Sequence, residues 1–320
     1  MNILSKYALI TGATSGIGYE LAKLFAADGY NLIIVARDQQ ELENKAAEFK
    51  TNGIDVRCIA QDLFDPGNAF AVYEEVKSLG IPIEILVNDA GQGVYGLFSE
   101  TDIDRELDII DLNVSSLVIL TKLFLKDMLA RNSGKILNVA SIASKSPGPW
   151  QSVYHGTKAF VLSFTEAIRE ELKDTGISVT ALMPGVTDTD FFRKADMLES
   201  KAVQDKSAMA DPADVAKDGY DALMAGKDKV VSGLKNKVQV AMGNVMPDSM
   251  LAHQMAEQQK PAGNEELPED QDQSAIVNED AEFENSAVDP GVVSPETQED
   301  GDDAEDQGQD EESADQQNAT

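Results

Sequence analysis

Short, largely apolar runs alternate with longer amphipathic stretches along most of the chain. The runs cover residues 7–10, 32–36, 56–60, 83–87, 135–140 and 177–183, and each is closed within two residues by Gly, Asn, Asp, Ser or Pro. That length and punctuation predict buried strands. The stretches between them, residues 19–27, 40–50, 69–79, 104–116, 117–131 and 154–173, predict helices; in the first, Leu21, Leu24 and Phe25 follow helical spacing. Apolar strands alternating with amphipathic helices describe an α/β fold, a doubly wound parallel sheet covered on both faces. A further helix is predicted over 212–224, with Asp211 as its cap and Pro212 in its first turn, followed by a short strand over 229–232. Residues 238–255 are rich in Val and Met and are interrupted by Pro247. They predict a C-terminal helix packed on the domain or on a second subunit.

In such a sheet ligands bind at the carboxyl ends of the strands, and the polar clusters of this chain fall there. The first run leads into Thr11, Gly12, Ala13, Thr14, Ser15, Gly16, Ile17 and Gly18. Strand, glycine turn and helix, in that order, let the backbone approach a pyrophosphate held at the positive helix N-terminus. A glycine turn also serves as a tight connection and nothing more. The second strand ends at Arg37-Asp38, about twenty residues past the glycines, where an acid would hold a ribose hydroxyl and an arginine a 2′-phosphate. Arg37 favours NADP(H) over NAD(H), because a guanidinium meets a phosphate bidentately; Asp38 keeps the other choice open.

Tyr154 and Lys158 stand four apart in the helix after the fifth strand, hence on one helical face, and Ser141 closes that strand. A phenol titrates near pKa ~10, and a buried ammonium beside it can draw that value towards neutrality, where it suits acid/base work. Tyr-x-x-x-Lys also recurs by chance on amphipathic helices, so the pair takes its meaning from the rest of the chain.

Charge divides the chain in two. Of its 57 Asp and Glu, 21 follow Lys260, where no Lys or Arg occurs, leaving 36 acids against 26 bases before that point. This predicts one folded domain over residues 1–255 and an acidic, disordered tail over 256–320, too poor in apolar residues to offset its ordering entropy. The tail serves solubility or docks a basic partner. Net negative charge in both parts repels polyanions, so nucleic acid is not an expected partner. The single cysteine, Cys58, rules out an internal disulfide and fits a reducing compartment. No uncharged apolar run approaches the ~18 residues of a membrane span, and no leader-like segment opens the chain. The expected location is cytoplasmic.

Taken together and in order, Thr11-Gly12-x-x-x-Gly16-x-Gly18, Asn88-Asp89-Ala90-Gly91, Asn113, Ser141, Tyr154-x-x-x-Lys158 and Pro184-Gly185 resemble the motifs of the short-chain dehydrogenase/reductase family, over residues 5–235. The resemblance implies a Rossmann-type sheet, an NAD(P)(H)-dependent oxidoreductase and a homodimer or homotetramer. It implies that Tyr154 exchanges the proton with the substrate oxygen, that Lys158 lowers the phenol pKa and holds the nicotinamide ribose, that Ser141 holds the substrate oxygen, and that Asn113 positions a water for proton resupply. It also implies cofactor contacts: Gly12, Ser15, Gly16, Ile17 and Gly18 along the pyrophosphate, Arg37 at the 2′-phosphate, Asp62 and Leu63 at the adenine, Asn88 at the adenosine ribose and Thr187 at the carboxamide. One departure is visible, for Asp89 stands where the usual pattern has a second asparagine. It is read as a mild change bearing on stability.

Loops 92–100, 143–151 and 187–210 carry Val94, Tyr95, Leu97, Phe98, Pro147, Pro149, Trp150, Phe191, Phe192 and Met197. They predict an apolar pocket for a small hydrophobic carbonyl or alcohol substrate, a ketone, aldehyde or 3-oxoacyl compound. The expectation is an NADPH-dependent carbonyl reductase; the alternative is a nucleotide-binding adaptor whose acidic tail engages a protein partner.

Overall fold

The protein is seen in a computed structural model that describes residues 6–263 apart from Asn244. Seven strands, β1 (Tyr7–Thr11), β2 (Asn31–Ala36), β3 (Val56–Ala60), β4 (Ile83–Asn88), β5 (Gly134–Val139), β6 (Ile177–Met183) and β7 (Lys229–Val231), form one sheet in the order β3-β2-β1-β4-β5-β6-β7. Every neighbouring pair is parallel. Parallel neighbours need crossover connections, and these are supplied by helices. Between the strands lie α1 (Gly16–Ala27), α2 (Gln39–Lys50), α3 (Pro66–Ser78), α4 (Ile103–Ile110), α5 (Leu117–Arg131), α6 (Ser152–Glu171), α7 (Phe191–Lys194) and α8 (Pro212–Met224), and α9 (Leu234–Gly243) and α10 (Asp248–Gln259) follow the last strand.

The two faces of each strand feed different cores, as the two-residue period requires. Ala8, Ile10 and Ile34 point to one side, where Leu21 and Phe25 of α1, Leu42 and Phe49 of α2 and Val215 of α8 pack on them. Leu9, Ile33, Leu86 and Ile136 point to the other, under Val72 and Val76 of α3, Phe124 and Met128 of α5 and Ile168 of α6. Each such side chain contributes roughly 1.5–3 kcal/mol by leaving water. This is the Rossmann-type, doubly wound sheet that the apolar runs predict. The chain winds outwards from β1 through β2 to β3 and then returns to β4, so β1 and β4 flank the point where the winding reverses and a crevice opens.

Three local differences from the sequence pattern have physical reasons. The third helix begins at Pro66 and not near residue 69, because Asp65 caps it through Gly67 N at 2.8 Å and proline suits its first turn. The helix expected over 104–116 stops at Ile110, and Asp111–Ser116 widen into a π turn that runs on into α5. There Asn113 and Ser116 are buried and bonded across to other segments, Ser116 Oγ donating to Leu63 O at 2.7 Å. Finally, residues 238–255 are not one element, since α9 ends at Gly243 and α10 starts after its N-cap, Pro247.

α10 passes residue 255, where the folded domain was expected to end. Ser200 and Pro261 form an antiparallel bridge beyond it, and Lys201 N bonds Lys260 O at 3.1 Å. The acidic tail expected to be disordered lies, from residue 264 on, outside the described residues. Among the described residues no helix is long and apolar enough to cross a membrane.

Candidate active site

The carboxyl ends of the strands open into one cleft of about 1140 Å³. Gly12, Ser15, Gly16, Ile17, Arg37, Asp62, Leu63, Ser141, Tyr154, Lys158 and Thr187 all line it. Of the expected catalytic and cofactor-binding residues, Gly18, Asn88 and Asn113 do not.

At the nucleotide end, β1 turns into α1 through Gly12, whose φ of 72° is open to glycine and whose N–H donates to Val35 O at 2.9 Å. A Cβ there would stand 3.0 Å from Asp89 Oδ2 and 3.1 Å from Ala90 N; one on Gly18 would collide with the same carboxyl and with Gly12 O. Gly18 therefore acts from beneath, by letting α1 lie close against the β1 and β4 ends. Ser15 caps α1 in extended conformation with no side-chain bond, which leaves the first N–H groups of the helix for an anion. This cradle fits the pyrophosphate of a dinucleotide.

Arg37 is exposed at the end of β2, its guanidinium 5.3 Å from the centre of the Phe64 ring. Asp38 is committed elsewhere, since its Oδ1 caps α2 by accepting from Glu41 N at 2.9 Å. Lys45, which the sequence pattern did not single out, lines the same mouth from α2 and adds a second cation there. Asp62 Oδ1 accepts from Phe64 N at 3.2 Å, which shapes the turn carrying Leu63.

Asn88, expected at the adenosine ribose, is buried at the end of β4. Its Nδ2 donates to Thr121 Oγ1 at 3.0 Å and to Asn138 Oδ1 at 2.9 Å, and Asn138 Nδ2 donates onward to Thr165 Oγ1 at 3.0 Å. A buried polar chain thus joins β4, β5, α5 and α6 beneath the cleft, with the Asn88 side chain as one of its links. The Asn88 donor is satisfied in a buried setting where an unpaired one is costly, while its Oδ1 has no partner among the described residues.

The residues expected to be catalytic sit on three elements. Ser141 follows β5, and its Oγ accepts from Ala143 N at 3.1 Å. Tyr154 lies in the first turn of α6 and Lys158 one turn on, with Lys158 Nζ 5.9 Å from the phenol ring centre and donating to Val139 O at 2.8 Å. Asn113, in the π turn, donates from Nδ2 to Gln92 O at 2.9 Å and to Thr157 Oγ1 at 3.0 Å, and accepts at Oδ1 from Gln92 N at 3.0 Å. Its Oδ1 and Lys158 Nζ stand 3.1 and 3.3 Å from where a Cβ of Gly91 would be, so the glycine keeps open the space beside both. Thr187 is buried, its Oγ1 donating to Gly185 O at 3.0 Å.

Electrostatics departs from expectation at the phenol. Burial pushes Tyr154 up to about 12, with the Ser141 hydroxyl pulling the other way. Lys158, whose Nζ donates to Val139 O, adds no lowering beside these two causes. Burial also draws Lys158 down to about 8, against the pull of Asp89. Asp89 itself is raised to about 7 by burial, opposed by Lys158 and by the Gly18 N–H. Its placement, under the glycine turn and within the field of Lys158, was not anticipated. The only signal in the sequence was the departure from Asn at that position.

At the substrate end Phe191, Phe192, Met197 and Val186 give the cleft an apolar wall, with the Phe191 ring 5.1 Å from that of Tyr154. Val94, Tyr95, Pro147, Pro149 and Trp150, also expected there, are not part of its lining, and Leu97 and Phe98 are exposed and outside it. Met255, Gln258 and Gln259 of α10 line the cleft as well, although the sequence assigned residues 238–255 to packing and placed Gln258 and Gln259 in the disordered tail.

Comparison with known proteins agrees with this geometry. The family model for short chain dehydrogenases matches residues 6–199. A mouse protein described as dehydrogenase/reductase SDR family member 7B is 31% identical over 233 residues, 69% of this chain and 70% of that one. A putative ketoacyl reductase of granaticin polyketide synthesis from Streptomyces violaceoruber is 37% identical over 185 residues, 57% of this chain and 68% of its own. Among solved structures, a short-chain dehydrogenase from Sphingobium yanoikuyae in complex with NADPH superposes with a TM-score of 0.67 at 27% identity, covering 76% of this chain and 96% of that one.

Proposed function

The chain belongs to the short-chain dehydrogenases, oxidoreductases acting between hydroxyl and carbonyl groups, and on that premise we propose that it is an NADPH-dependent reductase of apolar ketones or aldehydes. The observation that carries this reading is the convergence of Ser141, Tyr154 and Lys158 on the cleft that also holds the glycine turn and Arg37. The glycine turn and the free N-terminus of α1 would hold the dinucleotide pyrophosphate, and Arg37, with Asp38 engaged as a cap, would select a 2′-phosphate. When bound, such a dinucleotide would supply the hydride for the carbonyl carbon.

The residues of the chain handle the oxygen and its proton. Ser141 Oγ donates a hydrogen bond to the carbonyl oxygen and orients it towards Tyr154. The phenol, held protonated by burial, gives its proton to that oxygen as the carbon is reduced, so the product is the neutral alcohol. Lys158, with its pKa drawn to about 8, exchanges protons readily near neutrality and returns one to the phenolate. A water in the space beside Gly91, Asn113 Oδ1 and Lys158 Nζ would link that step to solvent.

Tyr154→Phe is expected to lower kcat for ketone reduction by at least about a hundredfold while NADPH still binds, read by fluorescence titration. NADH should bind more weakly than NADPH in the same assay. Retained turnover in the variant would remove Tyr154 as the acid; tighter binding of NADH would remove Arg37 as the selector.

A further inference from the structure

Asp89 is an acid placed where the glycine turn is to receive an anion. Its Oδ2 stands 3.0 Å from the Cβ position of Gly12 and would collide with a Cβ on Gly18, so the carboxyl fills the room that the two glycines leave. Asp89 N and Ala90 N both donate to Thr11 Oγ1, at 3.1 and 3.0 Å, which fixes the backbone beneath it. Asp89 also lines the cleft, together with Gly12, Ser15, Gly16 and Ile17.

The positive end of a helix is equivalent to about half an elementary charge, and a dinucleotide pyrophosphate brings two negative charges to it. An ionised Asp89 would add a third from behind, in a buried setting where salt screens little. The groups around the carboxyl do not make up the difference. α1 presents the Gly18 N–H and α6 presents Lys158, and both favour the ionised form. Lys158 is itself drawn down by burial to about 8 and is bonded to Val139 O. β1 presents the Thr11 hydroxyl, already engaged with two N–H groups, and Asn88 of β4 is tied to Thr121 and Asn138. Tyr19, Glu20 and Lys23 of α1 are engaged with Glu48 and with one another, and Asp190 beyond β6 pairs with Arg193. Arg37 and Lys45 line the mouth of the same cleft. Burial outweighs the attractions and holds the Asp89 pKa at about 7. A pyrophosphate close by raises it further, as a like charge does.

We propose that Asp89 is a proton-carrying residue of the dinucleotide site: the pyrophosphate binds the form in which this carboxyl is neutral, so that cofactor binding takes up a proton there. An asparagine at the same position, neutral at every pH, carries no such requirement. One residue thereby links the hold of this chain on its dinucleotide to pH. This rests on the reading of the glycine turn as a dinucleotide site.

Affinity is full below the pKa of the free carboxyl and is lost as pH rises through it. A group titrating at about 7 is about nine-tenths ionised at pH 8, which corresponds to a loss of roughly tenfold in affinity relative to pH 6. The test is fluorescence titration of the full chain at pH 6 and pH 8 with NADPH and with NADH, which lacks the 2′-phosphate and its titration. The Kd of the unaltered protein should rise about tenfold for both ligands. Lys158, about half deprotonated at pH 8, accounts for no more than about twofold. Asp89→Asn should match the unaltered protein at pH 6 and bind NADPH about tenfold more tightly than it at pH 8. Calorimetry at pH 7.5 in buffers of different ionisation enthalpy should show roughly half a proton or more taken up per NADH bound by the unaltered protein. The measurements on the unaltered protein decide the matter even where the variant does not fold. An NADH affinity level from pH 6 to pH 8, no proton uptake, or a folded Asp89→Asn variant with no gain in affinity at pH 8 overturns the proposal and leaves the dinucleotide site in place. Absence of NADPH and NADH binding at both pH values overturns both.

Discussion

Asp89 shows how one side chain can be visible in the sequence and unreadable in its effect. The position is recognisable as a departure from two asparagines, but its energetics follow from the roof that Gly12 and Gly18 place over it and from the neighbouring Lys158. Its pKa is raised from 3.8 to about 7, so between those values the folded chain keeps a proton that the unfolded chain has lost. Stability from this group is therefore fully present below about pH 4, falls as pH rises towards 7 and is level above. Asp89→Asn removes that dependence. The variant is expected to melt several degrees higher than the unaltered protein near pH 8, with the gap closing near pH 4, since about 1 kcal/mol shifts Tm by roughly 2–4 °C at this size. Melting curves that keep the same separation at both pH values would show that the carboxyl is not buried as a proton carrier. Tyr154 and Lys158 teach a related lesson. Their four-residue spacing announces a shared face, whereas the balance between burial and attraction, which sends the phenol up, depends on what surrounds them.

Elements were legible in proportion to how far one local rule decides them. The strands are buried on both faces, so an apolar run punctuated by polar residues suffices to mark them. The π turn at Asp111–Ser116 has no such mark, because what widens it is the pairing of Asn113 with Gln92 and Thr157, far apart in the sequence. The division of the C-terminal segment was half legible: Pro247 announces a break, but only packing against Tyr95, Ser200 and His155 says where α10 lies. The polar chain beneath the cleft belongs to this scale too, as it joins two strands and two helices. Asn88→Ala is expected to destabilise the fold by about 1–3 kcal/mol in chemical denaturation, through the partners it strands. NADPH affinity should change little. A large loss of affinity with unchanged stability would place the Asn88 side chain at the cofactor.

At the scale of the whole molecule, Ile103, Leu107 and Ile110 form an exposed apolar stripe along α4, and Phe160 of α6 is also exposed. The homodimer or homotetramer implied by the family resemblance would have this surface to use. Leu107→Glu is expected to shift the protein to monomer in sedimentation or size-exclusion measurements, and an unchanged mass would place the interface elsewhere. Resemblance to the family singled out Ser141, Tyr154 and Lys158; the sequence by itself determined the layered α/β architecture, the glycine turn and the order of the strand ends. These follow from periodicity, from backbone freedom and from short-range spacing, all of which are local. Tertiary structure alone decided that Asn88 braces the sheet, that Asp89 is buried near the lysine, that burial governs the phenol, and that Gln259 reaches His155 across 104 positions of chain. Contacts of that separation leave no periodic trace, because each depends on where two independently legible elements are brought together.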